Sequence, residues 1–143
     1  MTTNGARKLQ PSQAGSSPAE YSPEAFAREI AGLAWSKKAE DVVIIDLRER
    51  HSVFDFFVIA TAPVGGRLAQ VLGEEAYTLA KRRFGPSNAL HLESSEEWVC
   101  ADLGDVVLHV FSPQAREFYG LEHLWGDAPR TPVNGPFTAA ATR

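Results

Sequence analysis

Residues Glu96 to Phe111, EEWVCADLGDVVLHVF, decide how the rest of the chain is read. The stretch predicts two strands joined by a tight turn at Asp102-Leu103-Gly104-Asp105. Asp favours the first turn position and Gly tolerates positive φ near the end. A turn centred on Leu103 and Gly104 sets Cys100 opposite Val107 and Trp98 opposite His109. Side chains alternate between faces with period two. One face then carries Val99, Ala101, Val106, Leu108 and Val110, all apolar, and needs a core. The other carries Glu96, Trp98, Cys100, Asp102, Asp105, Val107, His109 and Phe111. That mixed face sets an indole among carboxylates near a turn, where a partner can dock. A turn of different length would change the pairing.

Outward from this hairpin, the pattern is α/β. Ser22-Pro23 is an N-cap with proline at the first helical position. Phe26, Ile30 and Leu33 follow at helical spacing, with Trp35 off that stripe. Val42 to Leu47 and Phe56 to Ala62 are continuous apolar runs, the pattern of strands covered on both faces. A second helix, roughly Gly66 to Phe84, buries Leu68, Leu72, Ala76 and Leu79. Gly73 weakens it by ~1 kcal/mol relative to Ala, and Gly85-Pro86 stops it. Asn88 to Leu92 predicts a short strand before the hairpin. After it, Ser112-Pro113 repeats the cap signal and opens a short helix ending at Gly120. These elements imply a mixed β-sheet flanked by helices. Residues 1–21 and 131–143 are rich in Ser, Thr, Gly, Ala and Pro, and read as disordered tails around a single domain at 22–130.

The chain has 143 residues, 44% hydrophobic and 22% charged, with a net charge of −4. That size supports one domain with a core, and the acidity argues against broad nucleic-acid binding, which needs a basic footprint. One cysteine excludes an internal disulfide, which fits a reducing compartment. With no secretory h-region and no run approaching the ~20 residues of a membrane span, the reading is a cytoplasmic protein.

Catalytic signals are weak. His51, His91, His109 and His123 have no metal-ligand spacing, so no metal or other cofactor is expected. Cys100 on an interior strand position is more often a small buried hydrophobe than a nucleophile. Gly65-Gly66 sits between a strand and a helix, where an anion could bind, but the Lys-Ser/Thr end of a P-loop is missing and the glycines suffice to make the turn. Asp46, Asp55, Asp102 and Asp105 suit caps and turns, and no Asp-x-Asp occurs to hold Mg²⁺ for a nucleotide-using enzyme. Between Leu92 and Val106, by contrast, stand Glu93, Glu96, Glu97, Asp102 and Asp105, with no basic residue. Either this is an ordinary solvated face or it is an acidic rim around Trp98 that meets a basic protein. Trp98 packed in the core is the competing possibility.

KKAEDVVIIDLRERHSVFDFFVIATA and EEWVCADLGDVVLHVFSPQAREFYGLEHLWGDAPR, with the spacing between them, closely resemble the ribosomal silencing factor family, also called Iojap-related. The likeness spans about Pro23 to Arg130. It implies a nucleotidyltransferase-like α/β fold without the catalytic residues. It also implies a translation repressor, not an enzyme, that binds the large ribosomal subunit through ribosomal protein L-fourteen and sterically blocks joining of the small subunit. A large-subunit assembly factor is the alternative. Carried over, the partner-binding residues are Trp98, Asp102, Leu103 and Gly104. Asp105, His109, Arg116, Tyr119 and Trp125 also match, without division between binding and folding roles. The family further implies homodimers. One departure is plain: the family's usual Ser-Gly-x-Ser-x-Arg-Gln loop is here Thr61 to Arg67, TAPVGGR, without the serines and with a proline.

Overall fold

Residues 21–50, 53–64, 66–86 and 90–134 are described by the structure, a computed structural model. Helix α1 (Pro23–Ser36) leads into β1 (Glu40–Asp46) and β2 (Phe56–Thr61), followed by α2 (Leu68–Phe84). Then come β3 (Leu90–Ser94), β4 (Trp98–Leu103), β5 (Val106–Phe111), α3 (Pro113–Tyr119), α4 (Leu121–Leu124) and β6 (Arg130–Pro132). The strands make one six-stranded sheet in the order β3-β4-β5-β2-β1-β6. Only β2 and β5 pair in parallel; every other neighbour is antiparallel. The mixed α/β architecture expected from the sequence is therefore present.

Two apolar layers hold the sheet. On one face α1 and α2 pack Phe26, Ile30, Leu72 and Ala76 against Val58, Val99, Ala101, Leu103 and Leu108. The Ser22 hydroxyl caps α1 by accepting from the Ala25 amide, as the Ser-Pro signal predicts. Gly73 and Ala80 also lie on the buried side of α2. Small residues there let the helix backbone approach the sheet closely, which explains a glycine that helix propensity alone disfavours. On the other face a thinner layer from α3 onward covers the sheet: Ala115 and Ala128 pack with Val43, Ile45, Phe57, Ile59, Val107 and Phe111. Trp98, Cys100, Leu121 and Trp125 lie at its half-buried margin.

Two expectations about the chain's course are corrected. The turn pairs Asp102 with Val107, Cys100 with His109 and Trp98 with Phe111, two residues away from the register read off the sequence. The central turn residues are Gly104, at φ +102, and Asp105, so glycine takes the first central position, as in a type II′ hairpin. A shift of two preserves which face each side chain occupies, so the division into apolar and mixed faces stands. Residues with defined contacts also lie past both predicted tail boundaries. Tyr21 donates its hydroxyl to Asp105 Oδ2 at 2.9 Å and meets Phe84 edge-on at 5.0 Å. Arg130–Pro132 pairs with β1, and the Val133 amide donates to Val42. The remaining tail residues, 1–20 and 135–143, lie outside the described residues.

Candidate functional site

The mixed face of the hairpin continues across the sheet. Strand pairing aligns His91, Asp102, Val107 and Phe57 in one row, and Glu93, Cys100, His109 and Ile59 in the next. The third row brings Trp98, Phe111 and Thr61 together. The β2 and β5 members are buried under the α3–α4 layer, whereas His91 and Glu93 are exposed and Trp98, Cys100 and Asp102 half-buried. The sheet thus passes from a covered region to an open one, with Trp98 at the boundary.

Three contacts hold Trp98 there. Its indole Nε1 donates to His109 Nδ1 at 3.1 Å. Its ring centroid lies 4.8 Å from Phe111 and 4.6 Å from Tyr119. Tyr119 is 51% exposed, and its neighbour Phe118, edge-on to it at 5.1 Å, is 81% exposed. An aromatic run therefore leads from the half-buried indole out to a largely exposed ring. Aromatic side chains at that transition, rimmed by charge, are the usual anchors of protein interfaces.

The four residues carried over from the resemblance do not share one surface. Trp98 and Asp102 lie on the open face. Gly104 sits at the tip, and a Cβ built there would meet nothing within 4 Å. Leu103 points the other way, 2% exposed among the core residues under α1 and α2. Its side chain supports the hairpin from behind. The acidic rim is also narrower than the sequence predicts. Glu97 accepts from the Ser112 hydroxyl at 2.9 Å, which ties β4 to the start of α3, and Asp105 takes the Tyr21 hydroxyl. Asp102 shares the open face with Trp98, Glu96 is exposed two residues before it, and Glu93 is exposed on β3 with its carboxylate 3.1 Å from His91 Nε2. Asp102 accepts from the Gly104 amide at 3.1 Å, and burial raises its carboxyl pKa.

The other matched residues divide by role. Arg116 is a staple: its guanidinium makes two bonds to Glu122, at 3.0 and 2.7 Å, and donates to Thr61 Oγ1 and the Asp41 carbonyl. It thereby locks α3 and α4 to the edges of β1 and β2, and it holds Glu122's carboxyl below its ordinary pKa. Asp41 has φ +51, where the β1 register shifts, and this turns its carbonyl to Arg116. Burial and the nearby Asp102 and Glu93 push the Cys100 thiol up to about 11, the reverse of what a nucleophilic cysteine needs. Among the described residues no group of three or more His, Cys, Asp or Glu could hold a metal, and no helix is long and apolar enough to cross a membrane. Gly65 and His51 lie outside the described residues.

Sequence reading missed the Trp98–His109 bond. It placed the two directly opposite, whereas they are diagonal neighbours in the observed register, still within reach of long side chains. It also missed the exposure of Phe118, for which a seven-residue helix offers too little periodicity.

The fold and this face define a mixed-sheet α/β domain with a half-covered aromatic strand surface. The family described as "ribosomal silencing factor during starvation" matches residues 19–143, and the chain belongs to that family. It is 36% identical over 99 residues to ribosomal silencing factor RsfS of Halalkalibacterium halodurans, covering 69% of this chain and 84% of that protein. It is 27% identical to the mouse protein named "mitochondrial assembly of ribosomal large subunit protein 1", covering 86% of this chain and 53% of that one. A crystal structure of a Bacillus halodurans protein superposes with a TM-score of 0.59 at 32% identity, over 78% of this chain and all of the other. One from Chromobacterium violaceum, 24% identical and sharing the fold, reaches 0.66 over 85% of this chain and all of the other.

Proposed function

We propose that the protein binds the large ribosomal subunit through the open β3–β4 part of this face, with Trp98 as the anchor and ribosomal protein L-fourteen as the contact. Occupying the surface that receives the small subunit, it blocks subunit joining and represses translation. The observation that carries this reading is the aromatic run of Trp98, Tyr119 and Phe118, together with the carboxylates of Glu93, Glu96 and Asp102. Burying the rings supplies affinity. The carboxylates select a basic protein surface over phosphate and steer encounter. The mechanism is steric and asks no chemistry of the domain. Membership of a silencing-factor family supports the ribosome as the target.

The test is sedimentation with purified subunits. The wild-type protein pellets with large and not small subunits and lowers the yield of joined particles. Trp98→Ala abolishes both effects while circular dichroism shows the domain still folded. Unchanged pelleting by that variant would overturn the assignment of the surface. The mouse relative's name favours a second reading, assembly of the large subunit. On that reading, mature subunits join normally in the protein's presence, and cells lacking it accumulate large-subunit precursors.

A further inference from the structure

His109 is 6% exposed and lies beneath the proposed docking face. Its Nδ1 accepts the indole proton of Trp98, so Nδ1 carries a lone pair and the neutral ring bears its proton on Nε2. Burial favours that uncharged form and lowers the imidazole pKa to about 4. Nε2 itself is buried without a hydrogen-bond partner. A buried donor left unpaired is costly and calls for an explanation. An apolar ring of similar size would fill the space between Phe57, 4.6 Å away, and Phe111, 6.0 Å away, without that cost. What such a ring could not do is accept from Trp98.

We infer that His109 is a positioning residue for the docking face: its Nδ1 lone pair fixes the Trp98 indole with the polar edge turned inward. The inference rests on the reading of Trp98 as the anchor and adds how the anchor is held and what it offers. Packing by Phe111 and Tyr119 restricts the ring plane, and the hydrogen bond selects which edge faces the interior. With its only donor used internally, the indole presents hydrocarbon and π surface. The group it meets on the partner is therefore an aliphatic side chain or the stem and cation of Arg or Lys, not a carbonyl acceptor. The carboxylates of Glu93 and Asp102 on the same sheet face favour the cationic choice.

Two variants separate positioning from packing. His109→Phe keeps a ring and removes the acceptor. His109→Asn loses ring volume but places Oδ1 near the position of Nδ1. In the full-length protein, ¹⁵N NMR at neutral pH is expected to show an unprotonated Nδ1 and a protonated Nε2. The Trp98 indole proton, assigned by its absence in Trp98→Phe, is expected to exchange at least about tenfold faster in His109→Phe and to recover protection in His109→Asn. Affinity for large subunits should fall about tenfold in His109→Phe and return in His109→Asn. An Nδ1–H tautomer in the wild-type protein overturns the inference, as do equal indole exchange in His109→Phe and wild type or an Asn variant no better than Phe. Neither the tautomer nor the exchange measurement needs a partner; exchange is compared in variants that circular dichroism shows folded, and the tautomer, read in the wild-type protein, holds even if a variant fails to fold. Binding that survives Trp98→Ala would instead refute the docking face, leaving the hydrogen-bond result to stand or fall alone.

Discussion

Replacing Gly73 with Ala sets helix propensity directly against packing. Propensity favours Ala in a helix interior by ~1 kcal/mol. The structure opposes it: a Cβ at residue 73 would stand 2.6 Å from Val99 Cγ1 and 3.3 Å from Leu92 Cδ1. Ordinary carbon contacts are about 3.5–4.0 Å, so the first overlap is on the order of 1 Å. Neither side can yield easily. Val99 is 1% exposed and β-branched, with a stiff χ1, and β4 is held between β3 and β5 by paired backbone. Relief requires α2 to lift from the sheet, opening voids around Leu72 and Ala76. Overpacking of this kind costs about 1–3 kcal/mol, so Gly73→Ala should be net destabilising by roughly 1 kcal/mol. Urea unfolding followed by circular dichroism reads the change as a lower midpoint at unchanged slope. Val99→Ala removes the obstructing methyls, so the double variant should be more stable than the sum of the singles predicts, by roughly 1 kcal/mol. A Gly73→Ala protein as stable as wild type, or additive singles, would refute the close-approach argument.

Arg116→Ala should destabilise by about 2–3 kcal/mol, because it leaves the half-buried Glu122 carboxylate and the Asp41 carbonyl without their donor; Arg116→Lys should recover only part in the same denaturation assay, since it lacks the planar fork. His109 makes stability depend on pH with a definite sign. Its folded pKa, about 4, lies below the ordinary 6.5, so its contribution is fully present above about 6.5 and is lost as pH falls through about 4, up to ~3 kcal/mol. Urea midpoints between pH 7 and pH 4 should therefore fall less steeply in His109→Phe than in wild type, and equal slopes would contradict the assignment. Ser112→Ala should cost about 1–2 kcal/mol by thermal unfolding, because the hydroxyl both caps α3 at the Ala115 amide and donates to Glu97.

Much of this is legible in the chain because it depends on local chemistry. Ser22-Pro23 and Ser112-Pro113 open helices where a cap and a fixed φ are both supplied. The apolar runs at 42–47 and 56–62 become β1, buried from Val42 to Ile45, and β2, buried throughout. The exposed strand β6 was missed because three residues carry no periodicity and their ordering comes from the edge of β1. Leu103 was misread as a turn residue, since sequence does not distinguish a turn centred on Leu103-Gly104 from one centred on Gly104-Asp105.

The amino-acid sequence alone determined which side chains share a face of the β4–β5 hairpin, because alternation along a strand survives a register shift of two. It also determined the family, through motifs that span most of the domain. Only the tertiary structure decided that Trp98 stands at the boundary between covered and open sheet, that His109 receives its indole proton, and that Arg116 is committed to stapling. Each of these depends on which elements from distant parts of the chain come to lie over the strand face, and local pattern carries no information about that cover.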